Sequence, residues 1–283
     1  MQFDVNQDGK NMQKKLISFD LTMFEKLPTY KSVTLVTRCT RPENLPTMFS
    51  SVKFVTERLA AKQIAIIWAI GCDSFRYNPY PDEMIRYCNE CLDYGVNALW
   101  CGTHRSESNE DYGCTVATKI IQRAKLLASL NNYQLNLVYL LDDDTYLLDT
   151  FVQCIEMADQ HIPTIWNIAW GGKVIKPHQF LIVNEKSTEF AHGIDSAQFV
   201  IPIDLLEQAG WYTGGMAIDY NTLRNAIGIA KSYKIVDIVG AMYNGINSKR
   251  WDYDDMSSKH PCMWFDHDKN KIIDNILLGE KRM

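Results

Sequence analysis

Four short apolar runs, each ending in a polar break, constrain this chain more than any other feature. SVTLVT at 32–37, IAIIWAI at 64–70, NALWCG at 97–102 and LNLVYLL at 135–141 have the length and composition of buried strands. Amphipathic stretches separate them. LPTMFSSVKFVTERLAA puts Leu45, Met48, Phe49, Val52 and Val55 on one helical stripe, and VATKIIQRAKLLASL at 116–130 reads as a second strong helix. Alternating strands and helices predict βαβ units and a mostly parallel sheet, because parallel neighbours need a crossover connection. Ligands in such sheets bind beyond the carboxyl ends of the strands. The polar residues at those ends are therefore expected at one rim: Thr37 to Arg41, Cys72 and Asp73, and the triplet Asp142, Asp143 and Asp144.

The pattern changes after about residue 146. TFVQCIEMADQ reads as a helix and PTIWNIAWGGKVI as a strand running into a Gly-Gly turn. FAHGIDSAQFVIPIDLLEQAG is mixed, and WYTGGMAIDYNTLRNAIGIAKS reads as a loop and a helix. Trp166, Trp170, Trp211, Trp251 and Trp264 fall here, where they suit a sugar platform or, as the reading preferred for each, ordinary core packing.

Charge and hydropathy exclude several classes of function. A net charge of −5 with no basic block argues against nucleic acid, whose phosphates need clustered Lys and Arg. No window approaches the roughly 20 apolar residues of a membrane span, and the polar start MQFDVNQDGKNMQKKL is neither signal nor anchor, so a cytoplasmic protein is expected. Cys88 and Cys91 form a CxxC without the second close pair that a zinc site wants. They share a helical face with Met84, Ile85 and Leu92, which predicts that they pack as small apolar side chains.

Three consecutive carboxylates repel one another and call for compensation. A divalent cation bridging phosphates would supply it, since Mg²⁺ and Mn²⁺ take oxygen ligands and leave positions for substrate. The alternative is a solvated loop whose acids cap the next helix, a task that Asp149 could perform.

LNLVYLLDDDTYLLDTF resembles the DxD segment of GT-A glycosyltransferases, above all the β-glucuronosyltransferase and xylan-type β-xylosyltransferase family, whose strand ends in three Asp followed by Thr-Tyr. TRCTRPENL is similar to that family's first strand-to-helix turn. The likeness extends through the Asp73 strand end, IWNIAWGG, FAHGIDSAQFVI and TGGMAIDYNTL, roughly residues 32–255. It implies an α/β, GT-A fold: a Rossmann-like nucleotide-binding half at about 31–145, an acceptor and catalytic half at about 146–255, and a C-terminal extension at 256–283. It also implies roles. Thr37, Arg38 and Arg41 would line the nucleotide pocket, Asp73 would meet uracil, and Asp143 the ribose or diphosphate. Asp142 would approach the donor sugar, Asp144 would ligate Mn²⁺ or Mg²⁺, Asp195 would hold an acceptor hydroxyl, and Asp219 would be the catalytic base. Asp219 lies one residue later than the family's Glu relative to the Gly-Gly pair.

Two departures matter. The family's arginine-bearing segment corresponds to Tyr112–Ala117, which has no Arg, and its Trp-His-Thr reads Trp251-Asp252-Tyr253, with His260 nearby. Without that cation no glucuronate carboxylate would be met. The expectation is therefore an inverting, metal-dependent enzyme moving a neutral sugar, xylose before glucose or galactose, from a UDP-sugar to a glycan hydroxyl, in a bacterial or viral setting. The alternatives are a sugar nucleotidyltransferase, whose usual Gly-rich loop is not matched by TRCTRPEN, a phosphohydrolase with an Asp nucleophile, and a non-catalytic nucleotide-sugar-binding protein of the same fold.

Overall fold

In the computed structural model β1 (Lys31–Cys39) is flanked by β2 (Ile64–Asp73) on one side and β4 (Leu137–Leu140) on the other, both parallel to it. The structure describes residues 31–73, 81–104, 114–129, 134–170, 173–177, 194–211 and 218–243. β3 (Ala98–His104) continues the parallel run beyond β2, so that the order β3-β2-β1-β4 builds outward from β1 and then returns to its other edge. That reversal, between β1 and β4, is the switch point beyond whose carboxyl ends such sheets bind their ligands.

Helices cover both faces, as the alternation predicts. α1 (Leu45–Ala60) and α2 (Pro81–Asp93) pack on one face, where Val33, Leu35, Trp68 and Ile70 meet Met48, Val52 and Cys88. α3 (Cys114–Ser129) takes the other, with Ile120 and Ala124 against Val36, Ile67 and Ala69. The period-2 alternation of β1 and β2 separates these two cores. Cys88 and Cys91 are buried in the first of them, and burial pushes the Cys91 thiol up to about 12, so both act as packing groups.

The remaining strands are β5 (Tyr146–Leu147), β6 (Thr164–Trp170), β7 (Lys173–Ile175), β8 (Phe199–Pro202) and β9 (Lys234–Met242). α4 (Phe151–Met157), α5 (Ile203–Ala209) and α6 (Ile218–Ala230) complete the described helices. One nine-stranded sheet results, in the order β3-β2-β1-β4-β8-β6-β9-β5, with β7 on β6. β8 runs antiparallel to both β4 and β6, and β6 is parallel to β9. A strand inserted in reverse brings its amino end to the rim where its neighbours present carboxyl ends. α4 stops at Met157 because Lys31 Nζ gathers the carbonyls of Ile155 (2.9 Å) and Ala158 (2.5 Å) beneath it. Trp166 is fully buried against Tyr139 and Phe151, as core packing predicts, and Trp211 is partly buried against the second core. The side chains of Trp170, Trp251 and Trp264 lie outside the described residues. No helix among the described residues is long and apolar enough to cross a membrane.

Candidate active site

The β1 turn and the acidic triplet meet at the switch point. Leu141 N donates to Val36 O (2.9 Å) and Thr37 Oγ1 to Leu141 O (2.8 Å), so the last residues of β1 and β4 advance together to the rim. Thr37 is fully buried and also accepts from Trp68 Nε1 at 2.9 Å. Its hydroxyl ties β1, β2 and β4 together.

The compensation that the triplet calls for comes from within the chain. Arg38 donates through Nε (3.2 Å) and Nη2 (2.5 Å) to Asp142 Oδ1. Arg41 donates through Nε (2.7 Å) and Nη2 to Asp143 Oδ1, and its Nη1 lies 2.7 Å from Asp144 Oδ2. Asp143 Oδ2 also accepts from the backbone N–H groups of Thr40 and Arg41, at 2.5 and 2.7 Å, and from Thr40 Oγ1. Asn44 Nδ2 closes the knot on Asp143 O at 2.8 Å. Asp143, 2% exposed, is thus the post on which the β1 turn is wound.

Asp144 is different. It is 4% exposed, and its Oδ1 is a buried oxygen without a hydrogen-bond partner among the described residues. Burial pushes its carboxyl up to about 6, against the pull of Arg41 and with the help of Asp142 and Asp143. An orphaned carboxylate oxygen at the strand end fits a hard divalent cation, which gathers one or two carboxylates and completes its shell with phosphates and water. Among the described residues no three His, Cys, Asp or Glu side chains gather as a self-sufficient metal cluster.

The second half of the chain supplies the opposite wall. Asp195 caps the 3-10 turn Ser196–Gln198 that leads into β8: its Oδ1 accepts from Ala197 N (2.9 Å), and Gln198 Oε1 accepts from Asp195 N (2.9 Å). Trp166 Nε1 (2.9 Å) and Tyr139 Oη (3.1 Å) both donate to Ala197 O and fix the turn from below. Ser196 then bridges the halves, its hydroxyl to Asp142 Oδ2 (3.2 Å) and its N–H to Asp219 Oδ2 in the first turn of α6 (3.2 Å). Burial, and then their mutual repulsion and that of Asp142, raise the Asp195 carboxyl well above its ordinary value. Burial likewise pushes Asp219 up to about 6, with Arg38 opposing.

Asp142, Asp144, Asp195 and Asp219 therefore share one electrostatic neighbourhood with Arg38 and Arg41. Tyr243, one residue past β9, belongs to it too: Asp195 first, then burial and the three other carboxylates, raise its phenol. Its N–H donates to Ala169 O at 3.0 Å, which sets it at the rim between β6 and β9. Sequence reasoning missed Tyr243 because it assigned no strand to KIVDIVGAM. The backbone of Asp73 ends β2 opposite His104, while its side chain, and Trp251 and His260, lie outside the described residues.

No family model matches the chain, and no curated protein matches it. Among solved structures, it is similar to a Bacillus anthracis protein assigned as a glucose-1-phosphate thymidylyltransferase, at 9% identity and a TM-score of 0.44 over 77% of this chain and 91% of that one. It is similar to the inositol-1-phosphate CTP transferase of T. maritima, at 10% identity and a TM-score of 0.42 over 89% and 98%. A third likeness is to HddC from Yersinia pseudotuberculosis, at 13% identity and a TM-score of 0.40 over 82% and 99%. The expected inverting transfer of a neutral sugar from a UDP-sugar to a glycan is corrected accordingly: the two neighbours named by activity are nucleotide transferases, and neither is a glycosyltransferase. What the chain has is an α/β fold with a mostly parallel, Rossmann-like sheet.

Proposed function

We propose that the protein is a sugar nucleotidyltransferase: it joins a nucleoside triphosphate and a sugar phosphate into a nucleotide sugar and releases pyrophosphate. The observation that carries this reading is the pairing, at the β1/β4 switch point, of a fixed guanidinium on Arg41 with the orphaned oxygen of Asp144. The two together complement a phosphate chain with its divalent cation. Phosphoryl chemistry asks a protein for positioning and charge neutralisation above all. Here Arg38 and Arg41, on a turn without glycine, take the part that a Gly-rich loop plays in the usual arrangement.

An oxygen of the sugar phosphate attacks the α-phosphorus of the triphosphate, a new P–O bond forms, and the α–β bridging bond breaks with its electron pair leaving on pyrophosphate. The attacking oxygen is already ionised, so no side chain has to remove a proton. Arg41 holds the phosphates in line, and Arg38 sets Asp142 against the Ser196 turn. Asp195 and Asp219, tied to the backbone of that turn, face the sugar side and accept from its hydroxyls. A Mg²⁺ or Mn²⁺ ion on Asp144 would supply Lewis-acid neutralisation of the phosphates.

The test pairs each common nucleoside triphosphate with a panel of sugar 1-phosphates and follows pyrophosphate release with and without divalent cation. One pair should give cation-dependent pyrophosphate together with a nucleotide sugar. Silence from every pair, or release of a nucleoside diphosphate from a nucleotide sugar instead, refutes the assignment.

A further inference from the structure

We infer that Arg41 is a built-in stand-in for the divalent cation: without metal it neutralises Asp144, and its fixed Nη1 edge is there to receive phosphate when the cation takes the carboxylate. The inference rests on the proposed function for the identity of the phosphate, and on the geometry of one side chain for the rest. Two nitrogens of Arg41, Nε and Nη2, are held on Asp143 Oδ1, and its own N–H is held on Asp143 Oδ2 at 2.7 Å. Backbone and one edge of the guanidinium are thus fastened to the same buried carboxylate. The edge that carries Nη1 reaches past it to Asp144 Oδ2 at 2.7 Å. Asp144 is left asymmetric, with one oxygen on Arg41 and the other buried and orphaned.

A cation arriving at Asp144 meets that guanidinium at close range. Like charges a few ångströms apart in a partly desolvated site oppose each other strongly. The fastening to Asp143 prevents Arg41 from leaving, so the repulsion is relieved only when an anion joins the site. A phosphate does so, and Arg41 is well suited to receive it because its planar fork presents several donors at once. Metal and phosphate should therefore bind cooperatively, each raising the affinity for the other by the same factor. The arrangement also keeps the empty rim from collecting metal ions that bring no substrate.

The experiment measures Mn²⁺ alone by the loss of its free-ion paramagnetic resonance signal, and inorganic pyrophosphate in EDTA by calorimetry. Arg41→Gln should tighten Mn²⁺ binding on the order of tenfold and weaken pyrophosphate binding by a comparable factor. Because the single change strands Asp143, the double variant Arg41→Gln with Asp143→Asn is measured beside it, with circular dichroism as the check on folding. It should shift both affinities in the same two directions, by less for the metal. Unchanged or weaker Mn²⁺ binding in a folded variant overturns the inference. Failure of the wild type to release pyrophosphate in turnover would refute the proposed reaction instead, and would leave the Mn²⁺ comparison standing.

Discussion

Asp219 shows what it costs to line a rim with carboxylates. Its ordinary value is 3.8, and burial pushes it up to about 6. A carboxyl raised on folding favours the native state below its unfolded pKa, and that advantage is lost as pH rises through about 6. Asp219→Asn keeps an oxygen for Ser196 N and removes the charge, so it should raise Tm at pH 7.5 by about 2–4 °C. The gain should shrink as pH is lowered to 4.5, and a gain that is constant with pH would mean that the charge is not its source. Thr37 makes the converse point. Thr37→Val removes the acceptor of a fully buried indole N–H, and should lower the stability obtained from urea unfolding by about 1–2 kcal/mol with an unchanged m-value. The residues of this rim were legible in the sequence, since every one except Tyr243 ends or precedes a run that could be read as a strand or helix. Their partners were not. Arg41 and Asp143 are 102 residues apart, and only the register of β1 on β4, Val36 opposite Leu140, brings the two strand ends level. A carboxylate triplet without a visible partner invites a metal; the fold first answers it with two arginines.

At the scale of elements, helical stripes and short apolar runs placed the first four strands and three helices to within a few residues. β8 lies inside a stretch that reads as mixed, and β5 and β9 do not read as strands at all; β9 alternates buried and open positions irregularly, with Asp237 interrupting its apolar run. Its place beside β6 nevertheless imposes a sharp demand. A Cβ on Gly240 would lie 2.9 Å from the Trp166 indole and 3.1 Å from Cys154 Sγ. Trp166 cannot move aside, being fully buried between Tyr139 and Phe151 and bonded to Ala197 O. Gly240→Ala should therefore cost about 1–3 kcal/mol, the range of core overpacking. It should also loosen the Ser196 turn and weaken pyrophosphate binding, although Gly240 is not part of the rim. Gly71→Ala is the control. Its Cβ would meet Ile120 Cγ1 and Cδ1 at 2.5 and 2.7 Å, on the opposite core, so calorimetry should record a stability loss without the binding loss.

For the whole molecule, two cores on either side of one sheet leave the thiols inaccessible. Of the eight cysteines in the sequence, Cys39, Cys72, Cys88, Cys91, Cys101 and Cys154 are free and buried. A thiol reagent such as DTNB should label no more than two sites in the native protein and all eight in guanidinium, with the slow six appearing at the rate of unfolding. Rapid native labelling of more than two would contradict this packing. The reversed strand β8 has a consequence for how the chain is made. During synthesis, the parallel strands β1 to β4 and β6 have all emerged by residue 170, yet β4 and β6 have no strand to join them. Leu137, Val138, Tyr139 and Leu140, all buried in the finished protein, then form an open sheet edge of the kind that recruits strands from other chains. That edge closes only when residues 199–202 slide into the gap. A nascent chain stalled near residue 180 should need a chaperone, and one released past β8 should not.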